Sequence, residues 1–102
     1  MPGEIMLVHI VAWKYKAETG EEIRKEHRSK LRALPDQISD IISFDVGADI
    51  LKLDRSYDTG LVARYSDRAA FDSYTVHPAH RAVAGMGKEI AENVVSVDFI
   101  IE

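Results

Sequence analysis

Ile5-Met6-Leu7-Val8-His9-Ile10-Val11-Ala12-Trp13 is the stretch on which the fold turns. It holds no glycine or proline and is rich in β-branched and aromatic side chains, which predicts a strand. Side chains alternate across a strand, so Met6, Val8, Ile10 and Ala12 share one face, and Leu7, His9, Val11 and Trp13 the other. Both faces are largely apolar. A sheet with one wet face would alternate apolar with polar residues, so each face of this strand needs a cover.

Downstream, Thr19-Gly20-Glu21-Glu22 has the pattern of a capping box and predicts a helix running to about Leu34. Ile23, His27, Leu31 and Leu34 share one side of it at helical spacing, and Pro35 is expected to end it. Ile41 to Leu51 predicts a second strand. Its apolar face is Ile42, Phe44, Val46, Ala48 and Ile50, and its wetter face is Ser43, Asp45, Gly47 and Asp49. Gly47 marks either a bulge or a close backbone approach. Lys52 to Ser56 is a polar connection, and Tyr57 to Tyr65 predicts a third strand. Ser66 or Asp67 can cap a following helix that carries Ala70, Phe71 and Tyr74 on one side. Another helical stretch starts at Pro78 and is expected to reach about Ala84, with Gly85 and Gly87 loosening its end. Val94 to Ile101 is the last strand. Residues 1–4 read as a leader to a single domain spanning residues 1–102.

The order β-α-β-β-α-β is the split arrangement of an α+β, ferredoxin-like fold with a four-stranded antiparallel sheet. Its two main helices can cover only one face of that sheet. The apolar residues on the other face argue for a second sheet there. Two copies packed sheet to sheet would form a homodimer, a dimeric α+β barrel.

A chain of 102 residues is one domain in length, and its 46% apolar and 29% charged residues are ordinary for a globular protein. The net charge of -4, with basic residues interleaved among acidic ones, opposes nucleic-acid binding. Leu61-Val62-Ala63-Arg64-Tyr65 lacks the basic-aromatic signature of an RNA-binding third strand. The absence of cysteine excludes disulfides and thiolate chemistry and agrees with a cytoplasmic location. No signal peptide is apparent, and no apolar run approaches the roughly 18 residues of a membrane span. Glycine-rich phosphate loops and a nucleophile elbow are also missing from the sequence.

The densest chemistry lies in Tyr74-Thr75-Val76-His77-Pro78-Ala79-His80. Histidine titrates near neutral pH, so His80 is a candidate general base for removing a proton beside a carbonyl. Tyr74 is a candidate donor to the oxyanion that results. The opposing reading is that His80 bonds locally as part of a structural turn. His77 precedes a proline and is expected to shape that turn, with ligand contact as its alternative role. His77 and His80 are three apart, but metal sites need three or four ligands. Nothing places His9 as a third, so neither a metal nor a cofactor is expected. His9 is a ligand-binding candidate if its strand face lines a chamber, and a satisfied core histidine if that face meets the helices. His27 is read as core or border.

Four features together resemble the stress-responsive A/B barrel domain (Dabb) family. They are Leu7-Val8-His9-Ile10-Val11 followed by Trp13-Lys14-Tyr15-Lys16, then Phe44-Asp45-Val46-Gly47-Ala48-Asp49, then Tyr57-Asp58 leading into Leu61-Val62, and Tyr74-x-x-His77-Pro78-x-His80. The resemblance covers about residues 5 to 101, and the last motif is the most specific. It implies a ferredoxin-like protomer that pairs by its sheet into a barrel. Most members lack a defined biochemical role, some plant members are stress-induced, and others are polyketide cyclases that close a ring by cofactor-free aldol chemistry. In those cyclases the residues matching Tyr74 and His80 carry the reaction.

The expectation is therefore a dimeric barrel that binds a small, largely apolar organic molecule. His80 and Tyr74 would act on it in a chamber between the two sheets. One alternative is a non-catalytic stress-response structural or interaction protein with a side-chain-filled barrel. Another is a cofactor-free monooxygenase. A solvent-open cavity ending at His80 and Tyr74 would separate the first reading from the second.

Overall fold

The computed structural model describes residues 5–102, and the expected leader at residues 1–4 lies outside them. Strand β1 (Met6–Tyr15) leads to helix α1 (Glu21–Arg32) and a single turn, α2 (Leu34–Gln37). Strands β2 (Ile41–Ala48) and β3 (Thr59–Tyr65) follow, then helices α3 (Arg68–Val76) and α4 (Pro78–Ile90) and strand β4 (Ala91–Ile101). The four strands form one antiparallel sheet in the order β2-β3-β1-β4, the ferredoxin-like topology.

The helices lie on one face. Register puts Leu7, His9, Val11 and Trp13 on the same side as Thr59, Leu61, Ala63 and Tyr65. These strands meet Leu31, Leu34, Tyr74 and Val83 in the buried core. The other face carries Val8, Ile10 and Ala12 on β1 opposite Phe99, Val97 and Val95 on β4. There Val95, Val97, Phe99 and Ile101 are between 42% and 54% exposed, a degree of exposure that leaves about half of an apolar strip in water. The helical layer also stops short of β4, whose Val94 and Ile100 remain exposed on the helix side.

Several local expectations are corrected. Thr19 does not cap α1: its hydroxyl donates to the Ile90 carbonyl at 2.9 Å, and Gly20 holds the N-cap position without a side-chain bond. Pro35 does not stop α1, which ends at Arg32; it sits in the first turn of α2, where its missing N–H has no helical acceptor to serve. Ile23 is exposed instead of sharing the buried side of His27, Leu31 and Leu34. Strand β2 ends at Ala48, and Ile50 lies in an exposed loop. The bulge in β2 falls between Ile41 and Ser43, not at Gly47, and it turns Ile42 outward while Phe44 and Val46 pack on the core. Strand β3 begins at Thr59. Helix α4 runs through Gly85 and Gly87 to Ile90, and β4 begins at once with Ala91.

A buried polar network closes the end of the core where β1 and α1 meet. Arg28 donates to the Thr59 hydroxyl at 3.1 Å, which bonds the Tyr15 hydroxyl at 2.8 Å, which in turn lies 2.7 Å from Nδ1 of His27. Glu21 accepts from the other end of Arg28 at 3.0 Å. A buried polar group without such a partner costs on the order of 1–3 kcal/mol.

Candidate functional site

Tyr74 and His80 converge because two helices meet at a proline corner. Asp67 caps α3 by accepting from the Ala70 amide at 2.8 Å, and this sets the helix phase that points Tyr74 at the sheet. His77 ends α3 in extended backbone and caps α4, accepting the Ala79 amide on its Nδ1 at 3.1 Å. The chain turns there, and His80 enters the first turn of α4. Its ring lies 4.3 Å from that of Tyr74, centroid to centroid.

The tautomer of His80 follows from its partner. Its Nδ1 lies 3.1 Å from the Thr75 carbonyl, which can only accept, so Nδ1 carries the proton and Nε2 keeps a lone pair. Burial lowers its pKa; the bond to Thr75 opposes that shift, and His9, Arg81 and His77 add to it. His80 is thus held as a neutral base. Burial pushes the Tyr74 phenol up to about 12, partly offset by the Tyr65 hydroxyl beside it, so Tyr74 stays a proton-bearing donor at neutral pH.

His9 joins from the sheet. Its ring lies 6.3 Å from Tyr74 and 4.9 Å from Phe71, on the helix side. Asp98, its register partner on β4, bonds its Nδ1. A carboxylate also only accepts, so His9 too has its Nδ1 held and its Nε2 turned away from that partner. Across the sheet His9, Ala63 and Phe44 stand in one row, and Tyr74 lies 6.3 Å from the rings of both His9 and Phe44. The small Ala63 leaves the room between them. Of the two readings of His9, its strand face is the one that meets the helices, yet it keeps polar company there.

Tyr74 and His80 therefore lie under the helices, not between two sheets. The expected chamber on the uncovered face is in the wrong place for Tyr74 and His80, because the odd-numbered face of β1 is the helix-facing one. Among the described residues a cleft of about 400 Å³ opens where the helical layer stops short of β4, lined by Leu7, Arg68, Phe71, Asp98, Phe99 and Ile100. Asp98 and Phe71, its inner wall, both touch His9. Tyr74 and His80 are one layer further in and do not line it. His77 is committed to its helix cap. Among the described residues no cluster of three or more His, Cys, Asp or Glu could hold a metal ion, and no helix is long and apolar enough to cross a membrane.

Sequence reading missed Asp98, Phe71 and the Thr75 carbonyl. The signal for Asp98 was its place on one strand face with Val94, Ser96 and Ile100, but that pattern does not name the residue opposite.

Among solved structures the chain is similar to a dimeric ferredoxin-like protein of unknown function from Thermobifida fusca, with a TM-score of 0.87 at 23% identity over 97% of this chain and 93% of that one. A dimeric ferredoxin-like protein of unknown function from Jannaschia is 27% identical, with a TM-score of 0.78 over 92% and 97% of the two chains. The hydroxynitrile lyase from Passiflora edulis superposes with a TM-score of 0.86 at 18% identity, covering 95% and 94%. No curated protein matches the chain in sequence. The family model described as the stress responsive A/B barrel domain matches residues 7–101, and with Tyr74, His77 and His80 gathered at one corner of a ferredoxin-like fold, the chain belongs to that family.

Proposed function

We propose that this protein is a homodimer whose protomers each bind a small, largely apolar carbonyl compound or its adduct and move a proton on it without a cofactor. The observation that carries the reading is the paired state of the two imidazoles. His9 and His80 come from different elements, and each has its Nδ1 tied to an acceptor, with no hydrogen-bond partner on its Nε2 among the described residues. Tyr74 is close to both. A neutral imidazole removes a proton, and a buried phenol steadies the oxygen that gains charge. Asp98 holds His9 and steadies its charge if it takes up the proton. His77 fixes the corner from which His80 projects.

The fold likeness to a hydroxynitrile lyase supports the same class of step. In such a cleavage a base takes the hydroxyl proton, the carbon–carbon bond to nitrile breaks, cyanide leaves and a carbonyl forms. Enolisation, as in ring closure or isomerisation, asks for the same base and the same oxygen donor. The dimeric structural neighbours support pairing, and the cysteine-free sequence suits a reducing cytoplasm.

The test uses mandelonitrile cleavage and hydrogen–deuterium exchange into acetophenone as two probes of proton transfer. The protein is expected to accelerate at least one above buffer. His80→Ala is expected to lose that acceleration by about 10²-fold or more while keeping its melting temperature. No acceleration, together with unmoved NMR signals of His9, Tyr74 and His80 in the presence of probe, overturns the reading. One feature favours a second reading: Tyr74 and His80 lie behind Phe71 and Asp98 instead of lining the cleft. On that reading the cleft binds such a molecule without transforming it, and the probes shift the His9 signals with no turnover.

A further inference from the structure

Helix α4 carries His80 in its first turn and is pinned at its far end, where the Ile90 carbonyl accepts from the Lys16 amide at 3.0 Å and from the Thr19 hydroxyl at 2.9 Å. Between these points its inner face is Ala79, Val83 and Gly87, spaced four residues apart and turned to the core. Gly87 is the tight contact. A Cβ placed on it would lie 2.8 Å from Nε1 of Trp13, 3.0 Å from Nε2 of His27 and 3.4 Å from Cδ1 of Trp13. Carbon needs about 3.5–4.0 Å from such neighbours, so a methyl group must part the helix from the sheet side by several tenths of an ångström. Neither neighbour yields cheaply, since both are packed rings and not the ends of flexible chains. His27 is 0% exposed and bound through Nδ1 to Tyr15, and Trp13 stands edge-on to it at 5.1 Å. Gly85, in the same helix, has nothing within 4 Å of its Cβ position.

We infer that Gly87 is a positioning residue: its missing side chain lets α4 settle against Trp13 and His27 at the depth that brings the His80 ring onto Tyr74. A helix of this length moves as a rigid rod, and Gly87 is seven residues, or about 10 Å, from His80. A lift at Gly87 is therefore passed to the imidazole. Misplacing a reacting group by about 1 Å can cost on the order of 10²-fold in rate. The inference rests on the proposed role of His80, but its geometric core does not.

The experiment follows the His80 ring protons by NMR in the whole chain, where Tyr74 at 4.3 Å shields them by its ring current. Gly87→Ala is expected to move those signals toward the values of an exposed histidine, and Gly85→Ala to leave them in place. The double variant Gly87→Ala with Trp13→Phe removes the nearest clashing atom and is expected to restore much of the shift. Unmoved His80 signals in folded Gly87→Ala overturn the inference. So does a Gly85→Ala variant that moves them as far. If Gly87→Ala does not fold, the double variant decides, since signals unlike wild type in a folded double variant also overturn it. The readout needs no ligand, so a failure of the proton-transfer reading leaves this result standing and is seen separately in the probe assays.

Discussion

His80 and His27 show how one side-chain type takes two roles in a chain of this size. Burial lowers the pKa of both. What separates them is the company each ring keeps. His80 spends its Nδ1 proton on a carbonyl and sets its ring 4.3 Å from that of Tyr74, while Nε2 of His27 is buried against Gly87 without a hydrogen-bond partner among the described residues. The second arrangement is a packing device with a pH signature. Burial first, and the Arg28 charge second, lower the His27 pKa from 6.5 to about 4. The unfolded chain therefore binds more protons than the folded one between those values. The contribution of His27 to stability is fully present above about pH 6.5, falls as pH drops toward 4, and levels off below that. The depth of the loss is about 3 kcal/mol at most. Urea unfolding at pH 7 and pH 4.5 is expected to show this decline. His27→Gln, which cannot titrate, is expected to be less stable at pH 7 and flatter across the window. An unchanged slope in that variant would move the pH dependence elsewhere, with His80 the next group to test.

Elements bring these residues together through caps more than through propensity. Asp67→Ala removes the side-chain acceptor of α3 and is expected to cost about 1 kcal/mol, read as a lower urea midpoint, with Asp67→Asn close to wild type. Because α3 carries Phe71 and Tyr74, the alanine variant is also expected to broaden their aromatic NMR signals. This cap was one of the two, Ser66 or Asp67, that the sequence offered, and the alternation of β1 and the proline corner at His77-Pro78 were legible as well. Other features were not. Thr19 has the composition of a cap, but a tertiary acceptor, the Ile90 carbonyl, takes its hydroxyl. Gly87 looks like a helix end and is instead a contact, because only the fold reveals that Trp13 and His27 press on it. The bulge after Ile41 shifts the parity of β2 by one residue, and no local signal in Ile41-Ile42-Ser43 announces it. Asp98 became a partner of His9 only through strand register, which joins residues 89 positions apart.

At the scale of the molecule, alternation tells which residues share a face but not which face the helices take. That ambiguity put the expected chamber on the wrong side of a correctly read sheet. The uncovered face nonetheless has a shape that argues for what meets it. Its rows run Gly47–Gly60–Ala12–Val95 and Asp45–Val62–Ile10–Val97, then Arg64–Val8–Phe99. The first row is nearly bare of side chains toward β2 and forms the floor of an open hollow of about 670 Å³. Toward β4 the rows rise into Val95, Val97, Phe99 and Ile101. Relief at one side and hollow at the other fit each other when a second copy is turned by a two-fold axis, which is how a self-complementary interface is built. A stable pairing needs about 800 Å² from each partner, and the sheet face offers Val95, Val97, Phe99 and Ile101 toward it. Val97→Asp tests this with little cost to the protomer, since Val97 is 54% exposed there. The wild-type chain is expected to sediment at twice its chain mass and Val97→Asp at the single mass. Val94→Asp, on the other face of the same strand and 40% exposed, is expected to keep the pair. A wild-type protein that sediments as one chain at tens of micromolar, or a Val97→Asp variant that stays paired, would place the contact on some other surface and leave the apolar face unexplained.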